Sequence, residues 1–320
     1  GNISDSNGGA MANSYAAPTV INSVFLKNRA LINGGAVYNE RNDQGPQVFK
    51  NCTFAANGAN NYGAAAANHM GAELIVTNSI LWDTLKVSEI RNTGLATATI
   101  TWSDVKGGCP ECTSNQTGNI NVDPLFLDTN TDNLHLTAGS PAIDAADGCV
   151  SPLTDMDGLS RVDVAGVANT GRGPAVDMGA YEYRTGSSDP VAPAPSVEGC
   201  CTKSTGNGHD YWYCAETKTR TDADTYCKVS QMTLAVVTSA AENALVRKVA
   251  GAGSVLVDAT DLATEGTWVW TTGETFSYSN WNTGEPNNSS GNEDCLQIDL
   301  ASGLWRAISC GNPNAFVCEK

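Results

Sequence analysis

A chain of 320 residues is long enough for two domains, and a formal net charge of −16 with only 18 Lys and Arg excludes the basic surface that nucleic acid or an anionic membrane requires. Charged residues make up 16% and hydrophobic residues 41%, with Gly, Asn, Ser and Thr abundant, a mixture suited to turn-rich β structure rather than helical bundles. No apolar run approaches the ~20 residues of a membrane span. Eleven cysteines exceed what a cytosolic protein without a metal cluster carries, so disulfides and an oxidising, extracellular setting are expected. There is no secretory signal, but the chain opens mid-pattern at Gly1, which leaves room for an upstream part.

The first hundred residues repeat themselves. Asn22-Ser23-Val24-Phe25, Asn51-Cys52-Thr53-Phe54 and Asn78-Ser79-Ile80-Leu81 share one pattern at spacings of 29 and 27 residues, and a looser copy, Trp102-Ser103-Asp104-Val105, follows 24 later. Gly8-Gly9-Ala10, Gly34-Gly35-Ala36 and Gly63-Ala64-Ala65 keep step with it. Short β-prone runs such as Thr19-Val20-Ile21 and Leu74-Ile75-Val76 lie between, and no stretch has a 3.6-residue period. One such coil cannot cover its own apolar side, so successive coils must stack with equivalent residues in register. That stacking predicts an internal ladder of Phe25, Phe54 and Leu81 and an amide ladder of Asn22, Asn51 and Asn78 at a turn. Cys52 is expected as a buried free thiol.

This region resembles the right-handed parallel β-helices of bacterial surface proteins. Asp123-Pro124-Leu125-Phe126, Leu134 to Asp144, Asp155-Met156-Asp157-Gly158 with Arg161, and Val176 to Glu182 resemble the closing segment of such proteins, so the likeness covers residues 1–184. Some parallel β-helices cleave polysaccharides, which needs two carboxylates on one cleft or a carboxylate with a base. Asp128, Asp132, Asp144, Asp147, Asp155, Asp157 and Asp163 are numerous enough, but they sit in turn-like contexts where Asp makes local hydrogen bonds. His69 and His135 are isolated and no nucleophile motif appears. A scaffold without catalytic residues is the expectation.

Residues 185–198 form a Pro/Ala/Ser connector, whose alternating prolines favour a stiff polyproline II spacer. Four cysteines precede it and seven follow it. Cys109 and Cys112 are close enough in sequence to bond across Pro110-Glu111.

Beyond the connector, Trp281 to Cys295 concentrates oxygen donors: Glu285, Asn287, Asn288, Glu293 and Asp294 fall within ten residues, with no Lys or Arg among them. Gly, Ser and Asn make this a loop. Mixed carboxylate and amide oxygens on one loop suit Ca²⁺ better than Zn²⁺. A cis bond before Pro286 would turn the Glu285 and Asn287 side chains towards one point. An acidic, solvated surface loop would have the same composition.

Residues 199–320 resemble the C-type lectin domain along their full length. The motifs are Asp210-Tyr211-Trp212-Tyr213-Cys214, a helix through Cys227, Leu234 to Asn243 with Ser239 and Glu242 as a capping box, Glu265-Gly266-Thr267-Trp268-Val269-Trp270, Gly303-Leu304-Trp305, and Phe316-Val317-Cys318-Glu319. The resemblance implies a mainly β chain: a right-handed parallel β-helix followed by a mixed α/β C-type lectin-like domain. It implies the disulfides Cys227–Cys318 and Cys295–Cys310, with Cys214 bonded to Cys200 or Cys201. Cys149 is a candidate partner for the member of that pair left over.

It also implies two cation positions. The sugar-binding one uses Glu285, Asn287 and Glu293, and Glu285-Pro286-Asn287 is the version associated with mannose-type sugars. Two further ligands, Asn and Asp, should follow the Trp; here Trp305 is followed by Arg306 and Ala307, which removes both oxygens and adds a guanidinium. Asp299 is a possible substitute donor. The auxiliary position uses Asp261, Glu265, Asn288, Glu293 and Asp294, all oxygen donors. Asn287-Asn288-Ser289 and Asn288-Ser289-Ser290 match the N-glycosylation pattern, and a glycan there would cover the loop, favouring a bacterial source or unused sites. Trp268, Trp270, Trp281 and Trp305 are expected in the core. Together these features suggest a secreted or cell-surface adhesin with a Ca²⁺-dependent lectin head that binds glycan. A head that binds a surface protein or copies of itself, or a polysaccharide-cleaving enzyme with an accessory lectin, are the other readings.

Overall fold

In the computed structural model the described residues are all but 42–43, 84–87, 114, 187–190, 193–195, 251–252 and 290. Most of the connector's Pro/Ala/Ser sequence, with the spacer expected of it, and Ser290 of the second sequon lie outside the described residues. The chain divides into two compact units, residues 1–194 and 195–320.

The first unit is a parallel β-solenoid of about four turns. Three four-stranded parallel sheets run along it: Met11–Ser14, Val37–Glu40, Ala66–His69 and Ile90–Asn92; Thr19–Ile21, Gln47–Lys50, Glu73–Thr77 and Thr97–Thr101; Val24–Leu26, Thr53–Ala55, Ile80–Trp82 and Asp104–Val105; a shorter parallel sheet joins Ile3–Ser4, Arg29–Ala30 and Gly58–Ala59. Registry follows the repeat, with Phe25 paired to Phe54 and Phe54 to Leu81. Phe25 and Phe54 stack 4.6 Å apart, and Phe49 packs edge-on to both. The glycine pattern has a steric cause. Gly34 turns at φ +67°, and a Cβ on Gly35 would stand 2.4 Å from the Ala64 carbonyl oxygen of the next coil. Cys52 is fully buried in the row of small residues, its amide bonded to Ser79 Oγ, and burial pushes its thiol up to about 12.

The amide ladder runs elsewhere than expected. Asn22, Asn51 and Asn78 all hold positive φ, but only Asn78 reaches Asn51, at 3.4 Å. Asn22 instead donates to the Thr154 carbonyl and accepts from Arg161. The regular ladder is Asn13 to Asn39 to Asn68 to Asn92, each Nδ2 donating to the next Oδ1 at 2.8–2.9 Å. A second links Asn28, Asn57 and Asp83. Buried amides stack this way because each satisfies its neighbour's polar group where water is absent.

The segment after residue 122 lies along the flank of the coils. Gly179 and Ala180 donate to Asn78 O and Thr53 Oγ1, and Ile143, Val162, Val176 and Met178 cluster with Ile80. At the end of the coil the loop closed by Cys109–Cys112 brings Glu111 onto Arg91 and the Asn92 amide.

The second unit is built on a mixed sheet. Thr202–Gly206 and His209–Lys218 form a hairpin, and His209–Lys218 pairs with Asn314–Glu319. Asn314–Glu319 runs parallel to Ser254–Thr260, which pairs with Cys295–Asp299 and through it with Trp305–Ile308. Helices α1 (Val197–Cys200, capped by Ser196), α2 (Arg220–Val229, capped by Thr219) and α3 (Ala240–Ala250) complete it. The capping box at α3 is displaced by one residue. Ser239 Oγ accepts from the Glu242 amide, while Glu242 Oε2 accepts from the amide and hydroxyl of Thr238. The hairpin takes Cys201 rather than Cys200 as partner of Cys214, and Cys227–Cys318 and Cys295–Cys310 are bonded.

Burial sets the pH response of the solenoid unit. Asp104 and Asp144 are pushed up to about 7 by burial, with the charges of Asp123 and Asp163 adding respectively. In the unfolded chain a carboxyl titrates near ~4. The stabilisation from their native protonation is therefore complete below that value and is lost as the pH rises through about 7. Denaturant midpoints of the solenoid should fall between roughly pH 5 and pH 8, and Asp104→Asn should flatten that fall; a midpoint that rises over the same range contradicts the assignment.

Candidate functional site

The site residues come from strand ends and the long loop between them. Ser254–Thr260 and Cys295–Asp299 are paired through Thr260 and Cys295, so Asp261 leaves the sheet beside Asp294. The Asp261 amide donates to the Asp294 carbonyl at 3.3 Å, and Thr260 Oγ1 donates to the same oxygen at 2.6 Å. Asp261 is buried, its Oδ2 accepting from the Gly266 amide at 2.9 Å while Oδ1 has no hydrogen-bond partner among the described residues.

Tryptophans hold the loop down. Trp305 is fully buried and donates from Nε1 to Asn243 Oδ1 at 2.7 Å. Its amide donates to Asn280 O, and the Asn282 amide donates to its carbonyl. Trp281 and Tyr278 meet its ring edge-on, and Trp268 meets Trp281. Trp268, Trp270 and Trp305 are buried and Trp281 is half-buried against the same cluster, so all four serve the core as expected.

Beyond Trp281 the Glu285–Pro286 bond is cis, the condition under which the Glu285 and Asn287 side chains turn towards one point. Asn287 Nδ2 donates to Glu285 Oε1 at 2.7 Å. Glu285 Oε2 accepts from the Ala307 amide at 3.2 Å, so Glu285 and Asn287 meet at the strand Trp305–Ile308. Asn288 Nδ2 donates to Glu265 Oε2 at 2.5 Å, and Asn288 Oδ1 accepts from the Glu293 amide at 3.0 Å. Both carboxylate oxygens of Glu293 accept from Ser289. Asn288 thus ties Glu265 to Glu293, while Asp261 and Asp294 adjoin through the backbone. All the residues assigned to the auxiliary position lie on this loop or at the strand ends that hold it.

The donor sets differ in how well they fit a cation. At the auxiliary position a buried carboxylate oxygen of Asp261 is unpaired, a costly condition that a cation relieves, and every assigned residue is an oxygen donor. Among the described residues no group of three or more His, Cys, Asp or Glu is already gathered at metal-binding distances, so the amide oxygen of Asn288 and backbone carbonyls would have to join. At the sugar-type position the donors are three, the oxygens of Glu285 and Glu293 already accept internal hydrogen bonds, and Arg306 stands in the sheet beside them. Ca²⁺ wants six to eight oxygens. That set does not fit. Asp299 is no substitute, because Ser302 holds its carboxylate through amide and hydroxyl, which with the charge of Arg306 keeps Asp299 below its usual value.

Three positioning residues escaped the sequence reading. Asp258 binds the Thr271 and Thr272 amides and Arg220, Asn243 holds Trp305, and Gln297 holds Arg306. Asp258 had a signal, being the lone acid in the apolar strand Ser254–Thr260. In the solenoid five of the seven weighed acids are engaged by a hydrogen bond or an ion pair, whereas both carboxyl oxygens of the buried Asp144 have no hydrogen-bond partner among the described residues. Asp132 pairs with Lys27, Asp147 with Arg172 and Asp157 with His135, while Asp155 binds the Leu159 amide and Asp128 the Asn130 amide.

A sheet braced by Cys227–Cys318 and Cys295–Cys310, with a tryptophan-anchored loop carrying Glu285-Pro286-Asn287, defines the C-type lectin domain, and the chain belongs to that family through its C-terminal unit. The Lectin C-type domain model matches residues 216–320. Perlucin of Haliotis laevigata is 32% identical over 116 residues, covering 34% of this chain and 75% of perlucin. Among solved structures, the mouse scavenger receptor C-type lectin carbohydrate-recognition domain is 30% identical, covering 37% of this chain and 93% of that chain, with a TM-score of 0.35. The cow CD23 C-type carbohydrate-recognition domain is 27% identical over 37% of this chain and 92% of that chain, with a TM-score of 0.36. The disulfides and the lectin domain are consistent with an extracellular protein. Among the described residues no helix is long and apolar enough to cross a membrane.

Trp305→Phe keeps most of the ring volume but leaves Asn243 Oδ1 without its donor. A loss of about 1–3 kcal/mol is expected in denaturant unfolding of the lectin unit; an unchanged midpoint would mean that the bond does not anchor the loop.

Proposed function

We propose that this protein is an extracellular, non-catalytic recognition protein whose lectin domain binds glycan through a Ca²⁺-ordered loop, with the solenoid as its stalk. The observation that carries the calcium part is the buried, unpaired Oδ1 of Asp261 beside a loop of oxygen donors. Asp261, Glu265, Asn288, Glu293 and Asp294 would hold the ion. When bound it supplies positive charge that offsets their mutual repulsion and orders the loop that presents Glu285 and Asn287. Membership of the C-type lectin family supports a carbohydrate as ligand, and Glu285-Pro286-Asn287 favours a mannose-type sugar.

A second reading is a lectin-like head that binds a surface protein or other copies of itself. It draws on Arg306 and Ala307 and on the internal hydrogen bonds of Glu285. A polysaccharide-cleaving solenoid would release reducing ends from acidic polysaccharides. The pairing of Asp132 with Lys27, Asp147 with Arg172 and Asp157 with His135 favours the scaffold instead.

Two measurements decide among these. Millimolar Ca²⁺ should raise the thermal midpoint of the lectin unit relative to chelator, and Asp261→Asn should remove most of that rise; a midpoint indifferent to Ca²⁺ would sink the calcium part. A glycan array probed with the full chain should give binding to neutral, mannose-type glycans. Silence across the array, with self-association in solution, would turn the assignment to the second reading.

A further inference from the structure

The misfit at the sugar-type position points to a different chemistry there. Gln297 sits directly across the sheet from Arg306 and is buried. Its Nε2 donates to Asn314 Oδ1 at 2.5 Å, which leaves Oε1 to accept from Arg306 Nε at 2.6 Å. Both ends of the Gln297 amide are thereby used, and the guanidinium is held by its inner nitrogen. Its two terminal nitrogens make no hydrogen bond among the described residues, on an exposed side chain. The next residue, Ala307, donates its amide to Glu285 Oε2. The carboxylate of Glu285 and the charged end of Arg306 therefore belong to adjoining positions on one edge of the sheet. Glu285 has accepted two hydrogen bonds, and a carboxylate offers about four lone-pair sites.

We propose that the guanidinium of Arg306 takes the place of the cation at this position. The site then binds a vicinal diol of a neutral sugar by direct hydrogen bonds, and Ca²⁺ is confined to the Asp261 side. This rests on the glycan-binding reading above. A hydroxyl both donates and accepts. One sugar hydroxyl of the pair can donate to the Glu285 carboxylate while its neighbour accepts from an Arg306 terminal nitrogen, and Asn287 beside Glu285 borders the same edge. A dication here would meet a fixed positive charge and too few oxygens. A guanidinium meets neither obstacle, because it needs no cage of oxygens and Gln297 already holds its inner nitrogen. Gln297 acts as a positioning residue that aims Arg306.

The test separates this inference from the broader reading. Calcium titration calorimetry on the full chain should give one more Ca²⁺ per chain for R306N/A307D than for the wild type. Because Ala307 is buried, R306N alone serves as the second variant, and a weaker additional binding event is expected. No added Ca²⁺ in either variant, or two ions already bound by the wild type, overturns the proposal. On an array of neutral glycans in Ca²⁺, Arg306→Ala should lose roughly tenfold or more in affinity while keeping the Ca²⁺-induced rise in thermal midpoint of the wild type. Glycan binding untouched by Arg306→Ala overturns this proposal alone. No neutral-glycan binding by the wild type overturns it together with the glycan reading.

Discussion

The burial of Trp305 is the constraint on which the lectin unit depends. Its ring fills the space under the long loop, its indole N–H is satisfied by Asn243, and its own backbone holds Asn280 and Asn282 on either side. A loop from 261 to 294 has too many polar backbone groups to be packed as a core. It is fixed instead at a few points: Asp258 at the Thr271 turn, Trp268 and Trp281 against one another, and Trp305 beneath. Those anchors are what bring Glu285 to the Ala307 amide.

The solenoid solves a related problem by repetition. Each coil is too small to bury its polar turns, so it hands them to the next coil through the Asn13–Asn92 ladder and through the row of Cys52, Ser79 and Ser103. Burying acids in the same frame exacts stability at high pH. Asp83 and Glu89 lie together away from water, where burial and each other's charge raise Glu89, and Asp104 and Asp144 follow the same rule singly. Burial also raises Glu182, and Arg161, paired with it at 2.7 Å, opposes that rise.

Much of this was legible in the residue order. Periodic features are carried by each coil separately, so spacings of 29 and 27 residues were enough to pair Phe25 with Phe54 and Phe54 with Leu81. The disulfides Cys227–Cys318 and Cys295–Cys310 and the core tryptophans followed from motif resemblance, while the cis bond before Pro286 was open in the sequence and is shown only by the structure. The path of Asn22 was not legible, because its partners Thr154 and Arg161 lie more than a hundred residues away in a segment without a period. The same holds for the choice of Cys201 over Cys200, which turns on hairpin register.

Residue order alone determined that a stacked β coil precedes a lectin module, and that Asp261, Glu265, Glu285, Asn287, Asn288, Glu293 and Asp294 offer oxygens for a hard cation. Tertiary structure decided which of those oxygens are free. Glu285 and Glu293 are already engaged by Asn287, Ala307 and Ser289, Asp261 keeps one buried oxygen without a partner among the described residues, and Arg306 is held by Gln297 from the neighbouring strand. The physical reason is that a ligand's availability depends on competing hydrogen bonds across strands and loops, and such competition is set by proximity in space rather than along the chain.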